Sequence, residues 1–273
     1  MARPKIAGGT TEYWDSVAGS VVARGPIPAW RSYSDLANEA LVRTWLEKPG
    51  GRLLKTDLFD EAWTGGFLWS DESVDDVARD VSPGGARVGI DLSPVVAGRA
   101  RARRPGASVL GADVRRLPFP DATFEAVVSP STLDHFADPA DIGRALVELH
   151  RVLAPGGRLL ITLDNPTHPL VAVRALGVRL WRRLGVVPYE VGVTLDARAL
   201  HETLEATGFE VLHAGAAQHF PRVLLIAVDR LLGSEEGRRR RLVGWALRCE
   251  RLDRLPSRYW TGQFVCALAR RRG

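Results

Sequence analysis

The residues best placed to do chemistry close a series of apolar runs. They are Asp57 and Asp60 after "RLLKT", Asp91 in "VGIDLS" and Asp113 in "GADVRRLPFPD". Ser129, Ser131, Asp134 and His135 follow in "VVSPSTLDHF", and Asp164 and Asn165 in "TLDNP". In an open parallel sheet, ligands bind beyond the carboxyl ends of the strands. Each of these residues alone has an ordinary reading as a cap or a turn. The set gains weight because successive runs end in polar, mostly acidic, residues. A carboxylate at Asp91, closing a second strand, accepts hydrogen bonds from the vicinal hydroxyls of a ribose. The competing role for Asp91 is to cap the helix that opens at Pro94. His135 is the candidate proton acceptor, with Asp134 beside it to orient it or to act alone. Its alternative is a loop histidine with no proton role. Asp164 and Asn165, with His168 just beyond, form a second polar cluster, although Asn165-Pro166 also reads as an Asx turn.

These residues need elements to hold them. "RLLKTDLF", "ARVGIDLS", "ASVLGADV", "TFEAVVSPS" and "RLLITLDNP" read as strands, separated by helical stretches. "SDESVDDVARDV" reads as a polar helix, "PVVAGRARARR" as a helix opening on proline, and "DPADIGRALVELHRVLAPGG" as a helix stopped at Pro155-Gly156-Gly157. Alternation of this kind predicts right-handed βαβ units and a mainly parallel sheet covered by helices on both faces. "RYWTGQFVCALARR" predicts a late added strand, antiparallel to its neighbour. The simplest partition is an N-terminal helical extension over 1–48, a Rossmann-like α/β domain over 49–273, and a helical insertion near 167–195. The insertion has an apolar face (Leu170, Val173, Leu176, Leu180, Leu184), read as a packed helix.

Three stretches in order, "VGIDLSPVVAGRA", "GADVRRLPFPDATFEAVVSPSTLDHF" and "LHRVLAPGGRLLITL", resemble the successive motifs of class I S-adenosylmethionine-dependent methyltransferases. The resemblance is to the small-molecule branch with D-x-x-x-L-P-F-x-D-x-x-F-D, and covers roughly residues 50–166. It implies a seven-stranded sheet and S-adenosylmethionine as cofactor. Asp91, with Leu92 beside it, would hold the adenosyl ribose. Asp113 and the backbone amide of Val114 would hold the adenine. Ser129 would lie near the sulfonium. The match fails in the first loop, where the family has an acid, one residue, then G-x-G-x-G. Lys55 falls at the acid, and Asp57, Phe59 and Glu61 fall at the glycines. The cofactor is cationic and carries no phosphate, so carboxylates can replace an amide cradle. Asp57 is expected to pair its α-amino group, and Lys55 or Arg31 its carboxylate. Trp14, Trp30 and Trp63 are candidates to stack on adenine or on an aromatic acceptor. Methyl transfer is in-line displacement, dominated by positioning. The implied activity is methylation of a small molecule at oxygen in specialised metabolism, with the 167–195 insertion as a lid over the acceptor. The alternative is a catalytically inactive binding or scaffolding protein that kept the fold.

Composition narrows the remaining classes. The chain of 273 residues is 45% hydrophobic and 25% charged, with net charge +5. Arginine carries the excess, since lysine occurs only at 5, 48 and 55, so no nucleic-acid partner is inferred. Cys249 and Cys266 lack C-x-x-C spacing, and no metal site is expected. No apolar run approaches a membrane span, and the N-terminus has no apolar signal region, so a cytoplasmic location is expected. A nicotinamide oxidoreductase would need G-x-G-x-x-G after the first strand, and none stands there. A homodimer is left open.

Overall fold

The structure, a computed structural model, describes residues 10–21, 27–46, 51–64, 86–176, 192–232 and 235–273. The polar helix read at 70–81, Gly65 and Gly66, and the insertion over 177–191 lie outside them. The described strands are β1 (Leu53–Thr56), β2 (Arg87–Asp91), β3 (Ser108–Gly111), β4 (Phe124–Pro130), β5 (Leu153–Asp164), β6 (Phe209–Ala217) and β7 (Phe264–Arg271). They form one sheet in the order β3-β2-β1-β4-β5-β7-β6. β3 through β5 run parallel, and β7 runs antiparallel between β5 and β6. The order reverses beside β1, which pairs with both β2 and β4. A crevice opens at such a switch point.

The apolar runs are continuous because both sheet faces are covered. Successive side chains point to opposite faces. Leu54, Val127, Leu159 and Ile161 face one core, shared with α5 (Pro139–Val152) and α7 (Ala197–Ala206) through Ile142, Leu146, Leu149, Leu200 and Leu204. Leu53, Ala126, Val128, Leu160 and Leu268 face the other, covered by Val42 and Leu46 at the end of α2 (Ala29–Trp45). A smaller core joins Ala18 of α1 (Thr11–Val21) to Leu58 and Ala62 beside and within α3 (Phe59–Trp63), and to Val96, Ala97 and Ala100 of α4 (Pro94–Arg103). The segment read as an N-terminal extension thus packs against the sheet's second face through α2 and against α3 and α4 through α1.

α2 is tied to the far end of the chain as well. The Tyr33 hydroxyl donates to the Glu250 carboxylate. The Gln218 side-chain amide donates to Ser34 Oγ at 2.8 Å. Between β6 and β7 the chain forms α8 (Arg222–Leu232) and α9 (Glu236–Leu247), and α9 packs against α2 through Val243 and Ala246. After β5 the chain enters α6 (Pro169–Leu176). No described helix is long and apolar enough to cross a membrane.

Candidate functional site

A cavity of about 690 Å³ opens over the carboxyl ends of the parallel strands, within the roughly 300–1,000 Å³ usual for ligand pockets. Asp57, Asp91, Leu92, Asp113, Val114 and His135 all line it, so the topology gathers residues 78 positions apart in sequence (57 to 135). Trp14, Trp30 and Trp63 line it too. The last two meet edge to face at 5.9 Å.

The loop after β1 turns on Asp57. Asp57 has φ +64°. That left-handed conformation is one that Asp tolerates better than most residues with a Cβ. Its Oδ1 accepts from Phe59 N–H at 2.7 Å, closing a turn into α3. Asp91 then grips the same loop. Its Oδ2 accepts from Leu58 N–H at 2.9 Å and its Oδ1 from Ser93 N–H at 2.8 Å. A carboxylate has about four acceptor sites, so capacity remains for two hydroxyls. The cap of α4 is Ser93, whose Oγ accepts from Val96 N–H at 3.1 Å. The capping role considered for Asp91 thus falls to its neighbour. Burial first, and the charge of Asp57 second, push the Asp91 carboxyl up to about 7. Burial also raises Asp57.

Lys55 takes a different place from the one expected. It is buried, 1% exposed, and its Nζ donates to Glu61 Oε2 at 2.8 Å and to the Asp57 carbonyl at 2.5 Å. Burial opposes its charge, but the carboxylates of Glu61, Asp60 and Asp57 outweigh that and hold it protonated. Lys55 and Glu61 therefore pair with each other, and burial pushes the Glu61 carboxyl up to about 8. Arg31 lines the cavity but is held by Asp35 at 2.8 Å and Asp60 at 2.9 Å. Neither cation is left over for a ligand carboxylate.

Two further residues sit apart from the cavity lining. Ser129 is wholly buried, and Thr56 donates its hydroxyl to Ser129 Oγ at 2.9 Å. The end of β4 points it beneath the floor. The surface above belongs to Thr56, Ser131 and Thr132, where Ser131 (φ +44°) turns the chain. Asp134 is 2% exposed. Its Oδ2 accepts from Ser131 Oγ at 3.0 Å and from Asp164 N–H at 2.7 Å, so it clamps the β4 loop to the end of β5. Burial raises its pKa. Backbone atoms of this loop also meet Gly192, where a Cβ would fall 2.3 Å from the Asp134 carbonyl oxygen. His135 is on the wall, its ring 4.8 Å from that of Trp14.

Asp113 lines the cavity while paired with Arg115, whose Nη2 donates to Oδ2 at 2.6 Å. Burial would raise its pKa, but the hydrogen bonds from Arg115 prevail and lower it. The far wall was only partly legible in the sequence. It comprises Leu170, Val171 and Val173 of α6, His168 before it, Gln218 after β6, and Gln263 and Phe264 at the start of β7. Asp164 and Asn165 pointed toward this wall. Gln218 and Gln263 carry no motif, and only the folding of β6 and β7 onto β5 brings them there.

The residues present suit S-adenosylmethionine. Carboxylates at the ends of β1, β2 and β3 suit a cationic nucleoside, and the β1 loop enters the wall through Asp57, Phe59 and Asp60. Residues 74–161 match the family described as "Methyltransferase domain", a match that begins downstream of the β1 loop. The demethylmenaquinone methyltransferase of Thermus thermophilus is 41% identical over 95 residues, 33% of this chain and 41% of that protein. The Paenarthrobacter aurescens enzyme of the same name is 31% identical over 168 residues, 62% of this chain and 54% of that one. The chain thus spans about half the length of the curated relatives it matches. A Thermotoga maritima methyltransferase structure described as a possible histamine N-methyltransferase superposes with TM-score 0.57. It covers 89% of this chain and 91% of its own, at 17% identity, and so shares the fold. The strand order and this likeness give the chain the fold of class I S-adenosylmethionine-dependent methyltransferases, and its residues 74–161 match a methyltransferase domain, which implies S-adenosylmethionine as cofactor.

Proposed function

We propose that this chain transfers the methyl group of S-adenosylmethionine to oxygen of a small, largely apolar acceptor. The observation that carries the proposal is that Asp57, Asp91 and Asp113 line one cavity together with Trp14, Trp30, Trp63 and the aliphatic side chains of Leu170, Val171 and Val173. Asp91 receives the ribose hydroxyls, with Leu92 at the same edge. Asp113 and the Val114 amide take the adenine, and Asp57 the α-ammonium group. The cofactor supplies an electrophilic methyl on a sulfonium. The chain's own part is to hold that cation among carboxylates and to seat the acceptor in line, the step that contributes most in displacements of this kind. Trp14, Trp30, Trp63 and the α6 side chains exclude water from the acceptor. Two curated relatives are named for demethylmenaquinone, which supports an apolar acceptor.

Calorimetry with S-adenosylmethionine and S-adenosylhomocysteine tests this. Wild type binds both, and Asp91→Ala weakens each by roughly 10- to 100-fold, the loss of hydrogen bonds to a charged group. No heat from either ligand in the wild type overturns the assignment. Cofactor binding without turnover of any phenolic or quinol acceptor favours the catalytically inactive alternative.

A further inference from the structure

We propose that His168 takes the proton from the acceptor's hydroxyl, and that Gln263 binds a second oxygen of the same acceptor. This rests on the methyl-transfer reading above. Of the six histidines, His135 and His168 line the cavity. His219, beside the wall, has both ring nitrogens committed, Nδ1 to Thr261 Oγ1 at 2.8 Å and Nε2 to the Ala216 carbonyl at 3.2 Å. His168 is different. It is 6% exposed, and its buried Nδ1 has no hydrogen-bond partner. Buried polar atoms are nearly always paired, so an unpaired nitrogen on a residue that lines a cavity points to a ligand.

A second polar group belongs to the same cavity. Gln263 is 8% exposed and lines it. Asn165 fixes both residues. Its backbone N–H donates to the Gln263 carbonyl at 2.8 Å, and its own carbonyl accepts from His168 N–H at 3.1 Å. Its side-chain amide donates to the carbonyls of Tyr259 at 2.7 Å and Gly262 at 2.8 Å. Asn165 is thus a positioning residue that ties the backbones carrying His168 and Gln263 to one corner. Leu170, Val171 and Phe264 surround that corner.

The chemistry follows from the state of the ring. Burial lowers the His168 pKa, Asp164 acts against that, and His219 adds to it. The imidazole is therefore neutral near pH 7 and able to accept a proton. The acceptor's O–H proton passes to the ring as its oxygen forms the bond to the methyl carbon. The carbon–sulfur bond breaks with its electron pair remaining on sulfur. One positive charge enters on the sulfonium and one leaves as imidazolium, which returns its proton to water. The substrate class is an apolar scaffold bearing a hydroxyl and a nearby second oxygen, as in a vicinal diol or hydroxyketone.

The test uses the full chain loaded with S-adenosylhomocysteine and a naphthalenediol with vicinal hydroxyls as probe. The His168 imidazole resonance, assigned by its loss in His168→Gln, is expected to shift on titration with the diol. In His168→Gln, cofactor affinity stays within about twofold, while kcat for methylation of the diol falls by about 100-fold or more, the usual span of general-base catalysis. In Gln263→Leu, KM for the diol rises about 10-fold with kcat largely kept, the mark of lost binding. The proposal is overturned if His168→Gln methylates the diol at the wild-type rate. It is equally overturned if millimolar diol leaves the His168 resonance unmoved, a readout that does not depend on turnover. If calorimetry shows no cofactor binding, the methyl-transfer reading fails first. The resonance shift, repeated without cofactor, then still decides whether His168 and Gln263 form a ligand corner.

Discussion

At the scale of single residues, Asp57 and Asp91 carry the two clearest consequences. Asp57 holds φ +64° with a Cβ, at a cost that its hydrogen bond to Phe59 N–H partly offsets. Asp57→Ala keeps the Cβ and loses that bond, whereas Asp57→Gly removes the steric conflict. The alanine variant should be less stable than the glycine variant by about 1 kcal/mol, a difference of roughly 2–4 °C in Tm by thermal unfolding. Asp91 sets a pH dependence. Its carboxyl titrates near 7, far above an unfolded aspartate, so the native state binds this proton more tightly than the unfolded chain. Stability without cofactor should therefore be greatest below about pH 4 as far as this group is concerned, and fall as pH rises toward about 7. The loss is on the order of 2–4 kcal/mol. Denaturant titrations across that window measure it, and Asp91→Asn should flatten the slope. Cofactor binding should strengthen over the same rise in pH, because the carboxylate is the form that accepts from ribose.

At the scale of elements, the unit formed by β1, its loop and α3 is held by a buried ion pair. The side chains of Lys55 and Glu61 are 1% and 2% exposed and 2.8 Å apart. Removing one partner strands a buried charge. Lys55→Ala should cost about 3–5 kcal/mol, whereas Lys55→Met with Glu61→Met should recover most of that, since an apolar pair avoids desolvation altogether. Chemical denaturation of the three variants checks both statements. A double variant no better than Lys55→Ala would mean that the bond from Lys55 to the Asp57 carbonyl, and not the ion pair, holds the loop.

At the scale of the molecule, the N-terminal helices pack against the sheet and the cavity. Val42 and Leu46 cover Leu53, Ala126, Val128, Leu160 and Leu268, and Trp30, Arg31, Ser34 and Asn38 line the cavity. A chain lacking residues 1–46 would expose that sheet face and leave Glu250 without Tyr33 and Gln218 without Ser34. It should lose cooperative unfolding, read as loss of the near-ultraviolet dichroism and of a sharp thermal transition. A truncated chain that melts cooperatively and binds S-adenosylmethionine would restore the boundary drawn at 48.

What the sequence by itself determined is local. Apolar runs of strand length, helical stretches between them and an acid after each run specify a parallel sheet with its polar residues at one end. Asp57, Asp91, Leu92, Asp113, Val114 and His135 could be read on the cavity side because each follows its own strand within a few positions. The tertiary structure decided what depends on partners distant in sequence or on the direction of a side chain. Lys55 could be read as a ligand for the cofactor until Glu61 was seen to face it. Ser129 and Asp134 fall at the right strand end, but register against Thr56 and Asp164 turns them inward. In the corner of His168 and Gln263, His168 stood beside the polar cluster at Asp164 and Asn165, but Gln263 has no signature. The corner exists because β7 inserts antiparallel beside β5 and delivers residue 263 to Asn165, a contact spanning 98 positions (165 to 263) that no run or spacing encodes.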